Sequence, residues 1–207
     1  AVSVGLLPRI LVQLQKTWPT VRARVLIGNS LEVMQSLEAQ KINLGVVEGH
    51  FAFPGLNVQT FGQDELVPIV STKHAWAHKH GISDGELAEQ PLILAERGSA
   101  ARQTVENYLK KNGILSQVDS IISINSSEAL IAAVESGLGI GFTSRLVLNR
   151  LQSTKTIKEL FLKNGSLFQP LSFSLRKGEA PQGPASEVIQ LLLAGLQPAE
   201  PELSRGI

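Results

Sequence analysis

Three short stretches of the chain pair a tight polar turn with the expected start of a helix: Gly28-Asn29-Ser30, Arg97-Gly98-Ser99 and Asn125-Ser126-Ser127. The first amides of a helix have no partner inside it, and its aligned peptide dipoles leave about half a positive charge at that end. Each turn can therefore hold an anion on N–H groups and hydroxyls, with Arg97 or Arg102 adding charge. Ordinary N-capping explains any one of them equally well, because Ser and Asn satisfy the same amides without a ligand. Several meeting in one crevice would make a stronger case, since open α/β sheets bind ligands beyond the carboxyl ends of their strands.

Other candidate chemistry is weaker. Gly137-Leu138-Gly139-Ile140-Gly141 follows a helix and precedes a strand, the reverse of the order in a phosphate loop. Gly137 fits better as the left-handed residue that stops the helix. His74, His78 and His80 have spacings open to a metal ion, but with few carboxylates nearby and no Cys in the chain they read as a solvated turn. Neither a Gly-x-Ser-x-Gly elbow nor a His-Glu-x-x-His helix occurs. We expect no enzyme activity, metal or cofactor.

The elements that must position the turns are legible as periodicity. Leu6, Leu7, Ile10, Leu11 and Leu14 form one helical stripe, ended by Trp18-Pro19. Val21, Ala23, Val25 and Ile27 alternate with Arg22 and Arg24, the pattern of a strand with one wet face. Strands are expected at 42–47, 56–61, 65–70, 91–95, 120–124, 140–143 and around Leu167–Leu175, with helices between them. Ser83 with Glu86 and Asn125 with Glu128 read as capping boxes, and Pro184 suits the first turn of a closing helix that ends near Gly195. Residues 197–207 read as a frayed tail. This order predicts an α/β fold around mostly parallel sheets flanked by helices.

Composition narrows the function. The chain has 207 residues, 19 Lys plus Arg against 18 Asp plus Glu, a net charge of +1 and 43% hydrophobic residues. That supports a real core and argues against a free-standing nucleic-acid binder, which would display a basic excess. Zero Cys excludes a disulfide scaffold and a thiolate site. No apolar run approaches the ~20 residues of a membrane span, and the start lacks the pattern of a secretion signal.

Leu6-Leu7-Pro8, Trp18-Pro19, Gly28-Asn29-Ser30, Asn43-Leu44-Gly45-Val46-Val47-Glu48-Gly49, Asp64-Glu65-Leu66-Val67-Pro68-Ile69-Val70, His74-Ala75-Trp76-Ala77, Glu96-Arg97-Gly98-Ser99, Ser126-Ser127-Glu128-Ala129 and Ala133 to Gly141 follow one another in an order that resembles the regulatory domain of LysR-type transcriptional regulators. The resemblance spans residues 1–195, and its Gly-Asn turn and Val-Glu-Gly ending are similar to the CysL-like branch. It implies the two-lobed type 2 periplasmic-binding-protein architecture, with lobe I as 1–70 plus 176–207, lobe II as 71–175, and a hinge of two crossover strands near Ser71 and Phe173. A small anionic metabolite would sit between the lobes on Ser3, Asn29, Ser30, Arg97, Gly98, Ser99, Arg102, Ser126 and Ser127.

The resemblance further implies a cytoplasmic homodimer, tetrameric when full-length, in contact with DNA only through a winged helix-turn-helix outside this sequence. Leu7, Ile10, Leu11, Leu14 and Ile131 are candidates for the dimer interface; the Leu6–Leu14 stripe is equally compatible with internal packing. Two departures bear on the site. Ala1 stands where the family often has Thr or Ser, with Ser3 as a substitute, and Ala100-Ala101 lacks a Thr common at that turn. A periplasmic-type solute-binding protein, which shares the architecture, is the alternative.

Overall fold

The apolar run Leu66-Val67-Pro68-Ile69-Val70 shows how the sequence builds the sheet. Leu66 and Val70 point into one core, with Leu92, Leu94, Ile140 and Phe142. Val67 and Ile69 point into another on the opposite face, with Ile93, Leu130 and Val134. Successive side chains of a strand alternate faces, so a continuous apolar run means burial on both sides by helices.

The computed structural model describes residues 2–118, 121–151 and 155–194. In chain order its elements are α1 (Val2–Gly5), α2 (Leu7–Thr17), α3 (Ser30–Glu38), β1 (Gly45–Glu48), β2 (Leu56–Ser71), α4 (Asp84–Ala88), β3 (Leu92–Ala95), α5 (Ala100–Lys111), β4 (Ile121–Ile124), α6 (Ser127–Glu135), β5 (Ile140–Ser144), α7 (Arg145–Leu151), β6 (Ile157–Glu159), β7 (Leu167–Arg176) and α8 (Pro184–Ala194). A 3₁₀ turn at Leu115–Gln117 precedes β4. The sheet order is β1-β7-β2-β5-β3-β4, with β6 paired to β2. The expected Ala1 contact, the start of the strand at Ser120, the helix end at Gly195 and the tail lie outside the described residues.

The parallel arrangement holds in the β4-β3-β5 core of the second lobe. The remaining pairs are antiparallel, because β2 carries the chain into that lobe and β7 brings it back. What reads as two strands, at 56–61 and 65–70, is one 16-residue strand. The polar Gly62-Gln63-Asp64 stretch stays extended because it pairs with Leu171, Pro170 and Gln169, and a register shift between Thr60 and Gly62 marks a bulge. The two strands change partners just beyond that bulge: β7 holds β1 from Leu171 to Ser174, and β2 holds β5 from Leu66 to Ile69.

Ser71 and Phe173, the expected hinge residues, are both buried in packed structure. Ser71 ends β2, buried, and donates its hydroxyl to the Glu135 carbonyl at 3.2 Å. Phe173 is buried in the first lobe, its ring 6.4 Å from that of Phe61. That lobe has two cores as well. Val2, Leu6 and Ile10 pack with Leu171, Phe173 and Leu175 on one face, and Val33, Met34 and Leu37 with Val47 and Leu56 on the other.

Two further expectations change. Residues 21–27 are not a strand: no backbone ladder reaches them, and Val25, Leu26 and Ile27 are exposed, Ile27 at 72%. Alternation supplies two faces, but a strand also needs a neighbour for its N–H and C=O groups, and β1 lies across a cavity instead. The box expected at Asn125 does not form: Ser126 is the N-cap and accepts from the Ala129 amide, and Ala129 at the third helical position has no polar side chain to reach back.

Gly141 is demanded by packing. A Cβ there would lie 2.5 Å from Val134 Cγ2 and 2.8 Å from Leu130 Cδ2. Gly141→Ala is expected to cost about 1–3 kcal/mol through overpacking, read as a lower urea midpoint at unchanged m-value.

Candidate functional site

Three helix starts line one cavity of about 1060 Å³. Asn29 and Ser30 open α3, Ser99 and Ala100 open α5, and Ser126 and Ser127 open α6. The ends of β1, β5 and β7 close it with Glu48, Thr143, Ser144 and Gln169. The cavity continues into the first lobe, between α2 and the 21–27 segment.

The polar groups divide into those already engaged and those left over. Asn29 makes a full capping box with Glu32, and its Nδ2 donates to Glu96 Oε1 across the cleft at 3.4 Å. Ser30 donates its hydroxyl to the Glu48 carbonyl at 2.9 Å. Ser126 caps its own helix and donates to Glu128 Oε2 at 2.9 Å. Ser99 differs: it stands at the N-cap position of α5 with no side-chain cap hydrogen bond. The first amides of this 12-residue helix thus have no side-chain cap.

The two lobes touch beside this turn. Gly49 has φ +89°, and a Cβ on it would lie 2.6 Å from the Ala100 Cβ. Glycine is required there twice over, by the backbone angle and by the approach of α5. The missing Thr hydroxyl at residues 100–101 is thus replaced by a methyl group that abuts the opposite lobe.

Of the residues predicted from sequence, Ser3, Asn29, Ser30, Ser99, Ser126 and Ser127 line the cavity. Arg97 and Gly98 are exposed outside it, Gly98 turning the chain with φ +87°. Arg102 is 7% exposed and faces away from it. Its Nε donates to Glu106 Oε1 at 2.7 Å, and its Nη1 to the Ala95 carbonyl and Ser123 Oγ at 3.3 and 3.1 Å. The guanidinium ties α5 to β3 and β4 and supplies no charge to the cleft. Of the dimer candidates, Ile10, Leu14 and Ile131 are buried within the chain, and Leu7 and Leu11 are half-buried on the cavity wall. The outward face of α2 instead presents Val12, 56% exposed. His74 accepts the Trp76 amide at Nδ1 and meets its ring edge-on, a turn-stabilising role.

Sequence reading missed the cleft floor. Gln169 Nε2 donates to Glu48 Oε2 at 3.0 Å and lies 3.5 Å from Asp64 Oδ2. The Leu146 amide donates to Asp64 Oδ1 at 3.3 Å. Burial raises the Asp64 carboxyl above its ordinary value; the Ser144 hydroxyl and Leu146 amide pull it down, and the Glu48 charge pushes it up. A lone carboxylate or amide at the end of an apolar strand was the available signal, at Val47-Glu48 and Phe168-Gln169.

The fold is that of a two-lobed α/β ligand-binding domain. The LysR substrate-binding domain matches residues 1–197, and the chain belongs to that family. It is 31% identical over 168 residues to the HTH-type transcriptional regulator CysL of Bacillus subtilis, covering 81% of this chain and 56% of that protein. The chain thus spans about half the length of the relatives it matches, which are named transcriptional regulators. Among solved structures it is similar to the Synechocystis PCC6803 CcmR regulatory domain in complex with 2-PG, at TM-score 0.80 and 20% identity over 91% of this chain and 90% of that one. It is also similar to the effector-binding domain of QuiR in complex with shikimate, at TM-score 0.79 and 14% identity over 94% and 91%. No helix among the described residues is long and apolar enough to cross a membrane.

A carboxyl whose folded pKa is raised binds more protons folded than unfolded. Stability must therefore fall as pH rises through the unfolded value near 3.9 until the folded group has ionised. Wild type is expected to lose stability relative to Asp64→Asn as pH rises above about 4, checked by paired thermal melts at several pH values.

Proposed function

We propose that this chain is the sensing part of a transcriptional regulator and binds a small metabolite bearing an acidic group between its lobes. The convergence of three helix starts on one cavity carries the reading. Within it, the start of α5 offers the acidic group its open amides and the Ser99 hydroxyl. Membership of the LysR family and relatives named as regulators favour this over a solute-binding protein. The CcmR and QuiR domains, solved with 2-PG and shikimate, support a small ligand in the same fold.

The lobes bend where β2 and β7 exchange partners, between Gly62 and Leu66 and between Leu167 and Leu171, rather than at residues 70/71 and 175/176. Ligand touching both walls favours one lobe angle over the other. A ligand shifts such an equilibrium only by its difference in affinity for the two states, typically ~1–3 kcal/mol. The change passes to a dimer partner along the outward faces of α2 and α6, and from there to DNA-binding domains in a longer cytoplasmic chain that assembles as a tetramer.

A thermal-shift screen of sulfur-, carbon- and nitrogen-assimilation metabolites tests this. A ligand at 100 times its Kd is expected to add about 2.7 kcal/mol of stability. Ser99→Trp is expected to abolish that response while the chain still melts cooperatively. A response that survives the substitution removes α5 from the site, and silence across all small acids refutes the reading.

A further inference from the structure

The strands β2 and β7 join the lobes through the backbone, and a second connection joins them through side chains. It is made by α1, the four-residue helix of the first lobe, and α7, which follows β5 in the second. The contact is reciprocal. Leu146 belongs to α7 but packs against the first-lobe core of Leu171, Phe173 and Ile189. Val4 belongs to α1 but packs against the second-lobe core of Val67, Val147 and Ile157. Each helix thus lends one apolar side chain to the other lobe, and a rotation between the lobes shears both contacts. Close-packed interfaces resist such sliding, because they have discrete arrangements rather than a continuum.

The backbone is fitted to this contact. A Cβ on Gly5 would lie 2.9 Å from Leu146 Cβ, closer than real Cβ atoms approach, so glycine supplies the clearance that brings α1 against α7. Arg150, near the end of α7, donates from Nη1 to the Val4 carbonyl at 2.5 Å. That carbonyl stands at the end of α1, where no further helical turn can satisfy it.

At its start α7 is fixed to its own lobe and to the crossing strands. Arg145 pairs with Glu65 of β2 at 3.0 Å and with Glu159 of β6 at 2.5 Å. The Val147 amide donates to Ser144 Oγ, and the Leu146 amide to Asp64 Oδ1, both at 3.3 Å. Asp64 stands in β2 within the stretch where the strands exchange partners. The α1–α7 contact therefore bears on the point of bending itself. Resting on the bending described above, we propose that α1 and α7 form an interlock that sets the angle between the lobes. Leu146 and Arg150 are positioning residues, since neither lines the cavity.

The test reads the interlobe distance directly and needs no ligand. The chain has no Cys, so Gln35→Cys on α3 and Asn107→Cys on α5, both at exposed positions, carry one pair of spin labels for pulsed EPR. A second lobe angle is typically populated at about 0.1–10%. Leu146→Ala is expected to raise the share of a second distance about tenfold, as truncation of a packed side chain implies. Gly5→Val, which forces α1 away from α7, is expected to shift the main distance. Arg150→Gln, at an exposed position, is expected to act in the same direction as Leu146→Ala and serves should the other two fold poorly. Leu109→Ala, in the other second-lobe core, is expected to lower stability and leave the distances unchanged. Distances unmoved by the three interlock variants but altered by Gln169→Ala, at the strand exchange, overturn the interlock while the lobes still bend. Distances unmoved by all four overturn the bending and the interlock together. An equal shift from Leu109→Ala marks general loosening and also overturns the interlock. Because no ligand is present, silence in the metabolite screen refutes the sensor and leaves this result standing.

Discussion

The antiparallel register between β2 and β7 is the constraint on which the rest depends. From Leu56↔Arg176 to Leu66↔Leu167, one ladder, shifted once at the bulge between Thr60 and Gly62, belongs to both lobes. Because it is shared, it fixes where Gln169 stands relative to Glu48 and Asp64, three residues far apart in sequence that meet at one floor. A one-residue slip would flip every side chain of β7 to the other face. Leu171, Phe173 and Leu175 would then leave the first-lobe core, and Gln169 would leave the cleft. Apolar burial thus holds the polar site in register.

Around that ladder the chain uses helix starts in two ways. At α3 and α6 the hydroxyl or amide residue serves its own helix, through the Asn29–Glu32 box and the Ser126–Ala129 bond. At α5 the N-cap residue leaves its helix uncapped by a side chain. An uncapped helix start typically forgoes about 1 kcal/mol, a cost that a bound acid would offset. Similar turns in sequence therefore differ in what they offer a ligand, and the difference lies in where each hydroxyl points.

The fold was legible wherever local pattern and tertiary need agreed. The apolar runs at Leu92–Leu94 and Leu66–Val70 became two-faced buried strands, and the Ser83–Glu86 box formed as its spacing requires. Legibility failed where a distant partner decides. Gly62-Gln63-Asp64 reads as a turn, and only pairing with β7, more than a hundred residues on, keeps it extended. Residues 21–27 have the pattern of a strand but no neighbour. Arg102 reads as a ligand group from its place near a polar turn, yet its position on α5 aims it at Ala95 and Ser123, contacts no local spacing reveals. In the same way, the three turns were legible as helix starts, whereas the acidic floor beneath them was not.

The bare segment at Val25-Leu26-Ile27 has a consequence beyond the cleft. A segment outside any backbone ladder with apolar side chains facing water offers a surface on which another chain can add. Arg22 and Arg24, exposed just upstream, are the charged neighbours that commonly discourage such addition. Their protection is electrostatic and weakens as salt shortens the reach of charge. A stretch that contributes little to the core thus presents an apolar surface whose charged neighbours guard it best at low ionic strength.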